Sequence, residues 1–120
     1  MTVNELVEEM NGSGFQAKYL AKSVRILADM LNDKECTRFL GLAGALVPGG
    51  MRKVIVEIIR NHFTDVIVTT GANLTHDLIE AFGGHHYKKE KVVSDARLYE
   101  DRMNRIYNVL LPNENYTILE

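Results

Sequence analysis

The sequence predicts an α/β fold, a parallel sheet with flanking helices. Two short apolar runs carry that expectation: Phe39-Leu40-Gly41-Leu42 and Val66-Ile67-Val68. Both are too short for helices, and the second is wholly β-branched, as buried strands of parallel sheets tend to be. Each run leads through a turn of small residues into a stretch with helical spacing. The β-α-β-α alternation over Cys36 to Phe82 is the one expected of a parallel sheet with right-handed crossovers.

Taken in order, Val3, Leu6, Val7 and Met10 suit a short amphipathic helix, closed by the turn Asn11-Gly12-Ser13-Gly14. A longer helix is expected over Phe15 to Leu31, with Leu20, Val24, Leu27 and Leu31 on one face and Asn32-Asp33 leading out. Cys36 to Ala43 holds the first strand. Its loop, Gly44-Ala45-Leu46-Val47-Pro48-Gly49-Gly50, places a proline where a helix's first turn tolerates it and glycines that keep the turn open to a ligand. Met51, Val54, Ile55, Ile58 and Ile59 carry the next helix to about Asn61-His62.

The most informative stretch runs from Asp65 to Gly84. After the second strand come Thr69-Thr70-Gly71-Ala72, then Asn73 as the expected N-cap, then Leu74, Leu78, Ile79 and Phe82 at helical spacing until Gly83-Gly84. Ligands of α/β sheets bind where such turns leave the strand carboxyl ends, and a helix N-terminus there offers free N–H groups to an anion. The turn has neither G-x-G-x-x-G nor G-x-x-x-x-G-K-[ST] spacing, so an ordinary βα connection stays open beside a ligand site.

Beyond Gly84 the signals weaken. His85 to Lys91 reads as a loop with Lys88, Lys89 and Lys91 in a solvated charge run. Val92 to Met103 mixes a possible strand with a short polar helix, Ile106 to Leu111 ends at Pro112, and Asn113-Glu114-Asn115-Tyr116 reads as a helix start. A helix begun four residues before Glu120, on a sheet of about two strands, leads to the expectation that the rest of the sheet lies outside these 120 residues.

Composition narrows the function classes. A hydrophobic fraction of 46% with 25% charged residues is that of a soluble globular domain. A net charge of −2 gives no electrostatic case for a nucleic-acid or anionic-membrane partner. The acidic start lacks a signal-peptide pattern, and no apolar run approaches membrane-spanning length. Cys36 is the sole cysteine, so no intrachain disulfide can form, and a reducing cytoplasm is the expected location.

Individual candidates are sparse. His76, His85 and His86 are close in sequence but lack an H-x-x-x-H spacing, and surface or loop histidines are the favoured reading over metal ligands. Cys36 reads as a buried small hydrophobe rather than a nucleophile. Thr75, His76 and Asp77 fall near the start of the helix after Ala72. Asp77 either favours the helix dipole there or, with His76, faces a ligand.

Thr69 to Asp77, joined to Asn104-Arg-Ile-Tyr-Asn-Val-Leu-Leu-Pro-Asn-Glu-Asn-Tyr116, resembles the deoxyhypusine synthase family. Gly12-Ser-Gly-Phe-Gln-Ala17, Phe39-Leu-Gly41 with its loop to Gly50, and Asp77-Leu78-Ile79 agree in order, so the resemblance spans about Gly12 to Tyr116. It implies a Rossmann-like fold that binds NAD. It also implies oxidation of spermidine and transfer of its aminobutyl group, through an enzyme lysine, to a lysine of the translation factor 5A precursor. Active sites of the family lie between subunits of a tetramer, so an oligomer is expected.

Carried over by position, the family's first NAD loop falls on Gly44, Ala45, Leu46, Val47 and Pro48, and its second on Thr70, Gly71 and Ala72. His76 stands where well-known members contact both NAD and polyamine, with Thr75 and Asp77 beside it. Those eukaryotic members carry two acidic residues just before the position of Asp77, where this sequence has Thr75 and His76. A polycation wants a carboxylate partner, so a different amine, as in making homospermidine, is one alternative. The family's catalytic lysine has no counterpart among the 120 residues, and no nucleophile is carried over. The two expectations are an enzyme part completed by a further chain or segment, and a non-catalytic remnant that binds a nucleotide or a paralogue.

Overall fold

The computed structural model describes residues 1–89, 93–117 and 119, which divide into two compact units, residues 1–38 and 39–120. The first unit is a helix pair, α1 (Val3–Met10) and α2 (Ala17–Asn32). Thr2 and Glu5 close a reciprocal capping box at the start of α1, which satisfies two otherwise orphaned backbone donors. Arg25 of α2 pairs with Glu8 of α1. Both helices match the predicted spans. The predicted apolar face does not behave as a core, however: Leu20, Val24 and Leu27 stay exposed, and Ala21 is the buried residue of α2. Within this unit, one helix of eight residues is too short to cover sixteen.

The second unit begins with β1 (Phe39–Leu42) and β2 (Val66–Thr69), paired in parallel with Leu40 opposite Ile67 and Leu42 opposite Thr69. Between them lie a wide turn at Val47–Met51 and helix α3 (Arg52–Arg60). After β2 comes α4 (Gly71–Ala81). This is the predicted β-α-β-α order, with a mixed α/β architecture around a small parallel sheet. The expectation that the second strand is buried needs correcting. Val68 and Phe39 are 61% and 67% exposed, because α3 and α4 border only the opposite face. On that face Leu42, Ile67 and Thr69 look into a groove of about 390 Å³ bounded by Ile55, Ile59 and Leu74.

Helices α3 and α4 stop in the same way. At the end of α4, Gly84 N–H reaches the Ile79 carbonyl at 2.8 Å and Gly83 N–H the Glu80 carbonyl at 3.1 Å, with Gly83 at φ 92°. At the end of α3, Phe63 and His62 make the equivalent bonds to Ile58 and Ile59, and His62 takes the left-handed conformation at φ 54°. His62 is therefore a helix stop, exposed to solvent.

The chain past Gly84 holds more structure than its sequence announces. Here β3 (Tyr87–Lys88), β4 (Met103–Ile106) and β5 (Val109–Pro112) form an antiparallel sheet in the order β3-β5-β4. Helix α5 (Asp95–Glu100) precedes β4, and α6 (Glu114–Thr117) follows β5. The predicted loop at 85–91 thus contains a strand. Lys89 is half-buried, donating to the Val93 carbonyl at 2.9 Å, so of the described lysines there only Lys88 is exposed. Lys91 and Val92 lie outside the described residues. The β4–β5 hairpin has a two-residue turn, Tyr107-Asn108, recognisable from the Ile106–Val109 pairing. Cys36, in the first unit, is half-exposed rather than buried.

Gly84 is sterically required. A Cβ there would lie 2.5 Å from Ile79 Cγ2 and 3.0 Å from the Ile79 carbonyl oxygen, inside the fully buried core position of α4. Gly84→Ala should lower unfolding stability by about 2 kcal/mol, the range expected for overpacking a core. A denaturant midpoint equal to that of the parent chain would contradict this.

Candidate functional site

The two turns predicted to carry function come together at the carboxyl ends of β1 and β2. The residue that joins them is Asn73. It is not the N-cap of α4; that position is Thr70, whose backbone is extended, and Asn73 sits three residues further along in the first turn of the helix. Its side chain is buried and fully engaged. The amide nitrogen donates to the Ala43 carbonyl at 2.8 Å and to Thr69 Oγ1 at 3.0 Å, while the amide oxygen accepts from Val47 N–H at 3.2 Å. One side chain therefore clamps the end of β1, the end of β2 and the start of the wide turn.

The turns also touch directly. A Cβ placed on Gly44 would lie 3.3 Å from Thr70 Oγ1. The first turn is hydrogen-bonded along its length: Gly49 N–H bonds the Ala45 carbonyl at 3.0 Å, Met51 N–H bonds the Leu46 carbonyl at 3.0 Å, and Ala45 holds φ at 70°. A left-handed alanine costs about 1 kcal/mol, which the two turn hydrogen bonds and the Asn73 clamp must hold in place. Val47 and Pro48 are buried, Ala45 and Leu46 half-buried, and Gly44 exposed. On the second turn Thr70, Gly71 and Ala72 are exposed, and no side chain caps the N-terminus of α4.

Thr75, His76 and Asp77 do not converge. His76 lies on the buried face of α4 with Asn73 and Ile79, at 7% exposure. Asp77 points to the other side, where its Oδ1 accepts from Arg52 Nε of α3 at 2.6 Å and borders the apolar groove. Thr75 is half-buried. Adjacent residues of a helix point about 100° apart, so His76 and Asp77 occupy different faces of α4.

His76 has instead a partner that the sequence did not suggest. His86 Nε2 lies 2.9 Å from His76 Nδ1, and His86 Nδ1 lies 2.8 Å from Glu80 Oε1. The two imidazole rings meet edge-on at 4.9 Å, and Tyr116 packs against His76 at 6.3 Å. Glu80 is shared: Arg52 Nε stands 3.4 Å from its other oxygen, Oε2. His86 is thus a loop histidine, in the turn between α4 and β3, but not a surface one; its side chain is 7% exposed. His85 is exposed, and its carbonyl accepts from Asn115 Nδ2 at 3.3 Å. One signal for Glu80 was available, as His76 and Glu80 stand at i and i+4 on one helix face. Nothing local marked Arg52 or tied His86 to His76 and Glu80.

A hollow of about 440 Å³ opens beside this chain of groups, lined by Val47 to Gly50, Glu80, His86, Lys88 and Asn108. A roomier one of about 870 Å³ lies between α5, β4 and α6, around Tyr99, Arg102 and Glu114, away from both turns. Its walls hold none of the residues predicted to act, so the former hollow is the better candidate.

Burial, and after it the charge of His86, hold the His76 imidazole below the ordinary histidine value of 6.5, with Glu80 opposing. A depressed histidine pKa means that the unfolded chain takes up this proton first as pH falls. Stability is complete above about pH 6.5 and declines as pH drops through the window beneath it. His76→Gln should flatten that decline in chemical-denaturation midpoints followed from about pH 7.5 to 5.5; an unchanged slope would exclude His76 as its source. Asn73→Ala should cost about 2 kcal/mol by leaving the Val47 N–H without its partner. Thermal unfolding of that variant within a degree of the parent would show that the clamp is dispensable.

Comparison with known proteins places these features in context. The deoxyhypusine synthase family model matches residues 5–120. A probable deoxyhypusine synthase of Methanosarcina thermophila is 49% identical over 120 residues, all of this chain and 38% of that protein. A probable deoxyhypusine synthase of Methanothermobacter thermautotrophicus is 40% identical over 121 aligned residues, covering 39% of its length. A deoxyhypusine synthase-like protein of Chlorobaculum tepidum is 38% identical over 116 residues, 33% of its length. The chain spans between about a third and two fifths of these relatives.

Proposed function

The chain belongs to the deoxyhypusine synthase family, and from that premise we propose that its two clamped turns form one part of an NAD site. Gly44, Ala45, Leu46, Val47 and Pro48 would line one side, Thr70, Gly71 and Ala72 the other, with His76 beneath. The observation that carries this reading is the junction itself: two βα turns from parallel strands, in contact at Gly44 and Thr70 and fixed by Asn73. The fit to a dinucleotide is chemical. The N-terminus of α4 has no side-chain cap, so its first N–H groups are open to a pyrophosphate, and the helix dipole favours an anion there. Gly49, Gly50 and Gly71 leave room for close approach, since a Cβ on any of them would meet nothing within 4 Å.

When bound, NAD supplies a hydride acceptor. This chain's residues would bind and orient it and bring a polyamine, spermidine, to the side of α4 that holds His76, with Thr75 and Asp77 on the flanking faces. The family reaction, aminobutyl transfer to a lysine of the translation factor 5A precursor, would then need a nucleophile from further sequence or another subunit, in an oligomer. Thr75 and the buried His76, in place of carboxylates, favour a second amine acceptor as the alternative outcome.

Two measurements test the reading. Calorimetry should show NAD binding by the 120-residue chain, and Ala72→Glu should weaken it at least about tenfold by placing a carboxylate where the pyrophosphate sits. That substitution suits a helix N-terminus, so the fold should be unharmed; parent-like NAD affinity in the variant would sink the assignment of this turn. Labelled spermidine should mark the precursor only when a protein supplying the remaining family length is added. Turnover by the chain alone would overturn the shared-site part, and label on a diamine instead of the precursor would favour the alternative.

A further inference from the structure

Glu80, His86 and His76 are spaced so that their protons are not free to choose. An ionised carboxylate can only accept, so the 2.8 Å contact at Glu80 Oε1 requires the proton on His86 Nδ1. A neutral His86 then has a bare Nε2, and the 2.9 Å contact beyond it requires the proton on His76 Nδ1. A neutral His76 in that form leaves Nε2 bare. Among the described residues no side chain or backbone group donates to that nitrogen, and no buried side-chain nitrogen or oxygen lacks a partner, so Nε2 belongs to the small accessible part of the residue.

We propose that Glu80, His86 and His76 act as a relay that fixes His76 in its Nδ1–H form and presents Nε2 as an acceptor for a ligand ammonium group. His76 is the contacting residue; Glu80 and His86 are positioning residues. A carboxylate stands behind the acceptor: Glu80 Oε1 holds the His86 Nδ1 proton, while its Oε2 shares the Arg52 guanidinium with Asp77 of the neighbouring face. An ammonium N–H would donate to Nε2. The ammonium part of this inference rests on the polyamine reading above; the tautomer part does not.

Nitrogen NMR of the full 120-residue chain, labelled with ¹⁵N at histidine, tests it near neutral pH. A histidine side chain in water favours the Nε2–H form, so the relay makes an unusual prediction: His76 with a protonated Nδ1 and a bare Nε2. Glu80→Ala should release His86 and return His76 toward the Nε2–H form, and His86→Phe should do so by cutting the relay at its centre. His76 already in the Nε2–H form in the parent chain would overturn the proposal without reference to any variant. Spermidine should then shift His76 Nε2 while leaving the exposed His62 and His85 in place. A correct tautomer with an unmoved Nε2 would overturn ammonium recognition. A moved Nε2 in a chain that fails to bind NAD would leave the relay standing and count against the nucleotide site alone.

Discussion

The second unit depends on one buried amide. Without Asn73, β1 and β2 are a pair of four-residue strands whose following turns have no reason to meet. Its side chain makes three bonds, to three separate segments: the end of β1, the end of β2 and the wide turn before α3. A buried amide with a missing partner costs more than a bond gains, so the three contacts are held together or lost together. The left-handed Ala45 and the close approach of Gly44 to Thr70 are downstream of that clamp. A cofactor lying across both turns would meet a surface organised before it arrives, and preorganisation of that kind lowers the ordering cost of binding.

Local sequence made the strands, the helices and their stops legible because each of those depends on neighbours in the chain. Helix α1 with its turn, the strand at Phe39–Leu42 and the Gly83-Gly84 stop all appear where short-range pattern places them. Tertiary context decided the rest. Asn73 has the right chemistry for an N-cap and the wrong neighbours: Thr70 lies where the backbone first turns helical, and the Ala43 carbonyl thirty residues earlier offers the asparagine a better partner. The 85–111 region was opaque for a related reason. Strand β3 is two residues long and is defined only by its pairing with β5, more than twenty residues away, which no window of periodicity can see.

The same distinction explains how the candidate site was divided. Reading Thr75-His76-Asp77 as one cluster follows from adjacency in sequence, but a helix spends adjacency on rotation. Asp77 goes to Arg52 and the α3 side, His76 to the buried side, and Glu80 returns to the His76 face one turn later. Arg52 then spans the two sides, bonding Asp77 Oδ1 and approaching Glu80 Oε2. Both Arg52 contacts are half-exposed and worth at most about 1 kcal/mol each. Their effect lies in orientation: with Oε2 turned toward the guanidinium, Oε1 faces His86.

The tail motif finds its physical meaning in that arrangement. Residues Asn113 to Tyr116 are some thirty residues from the histidines, and the resemblance that first drew attention to them said nothing about why they should be there. Asn115 is buried and donates to the His85 carbonyl, and a Cβ on Gly84 would lie 3.2 Å from its amide nitrogen. Tyr116 places its ring against His76. The antiparallel sheet brings α6 back to the end of α4, so the asparagine fixes the backbone just before His86 while the tyrosine fills the side of its partner ring. A histidine pair at 2.9 Å needs both rings held within a few tenths of an ångström. Gly84, Asn115 and Tyr116 supply that restraint from outside the relay, which ties the end of the chain to the turn where the site begins.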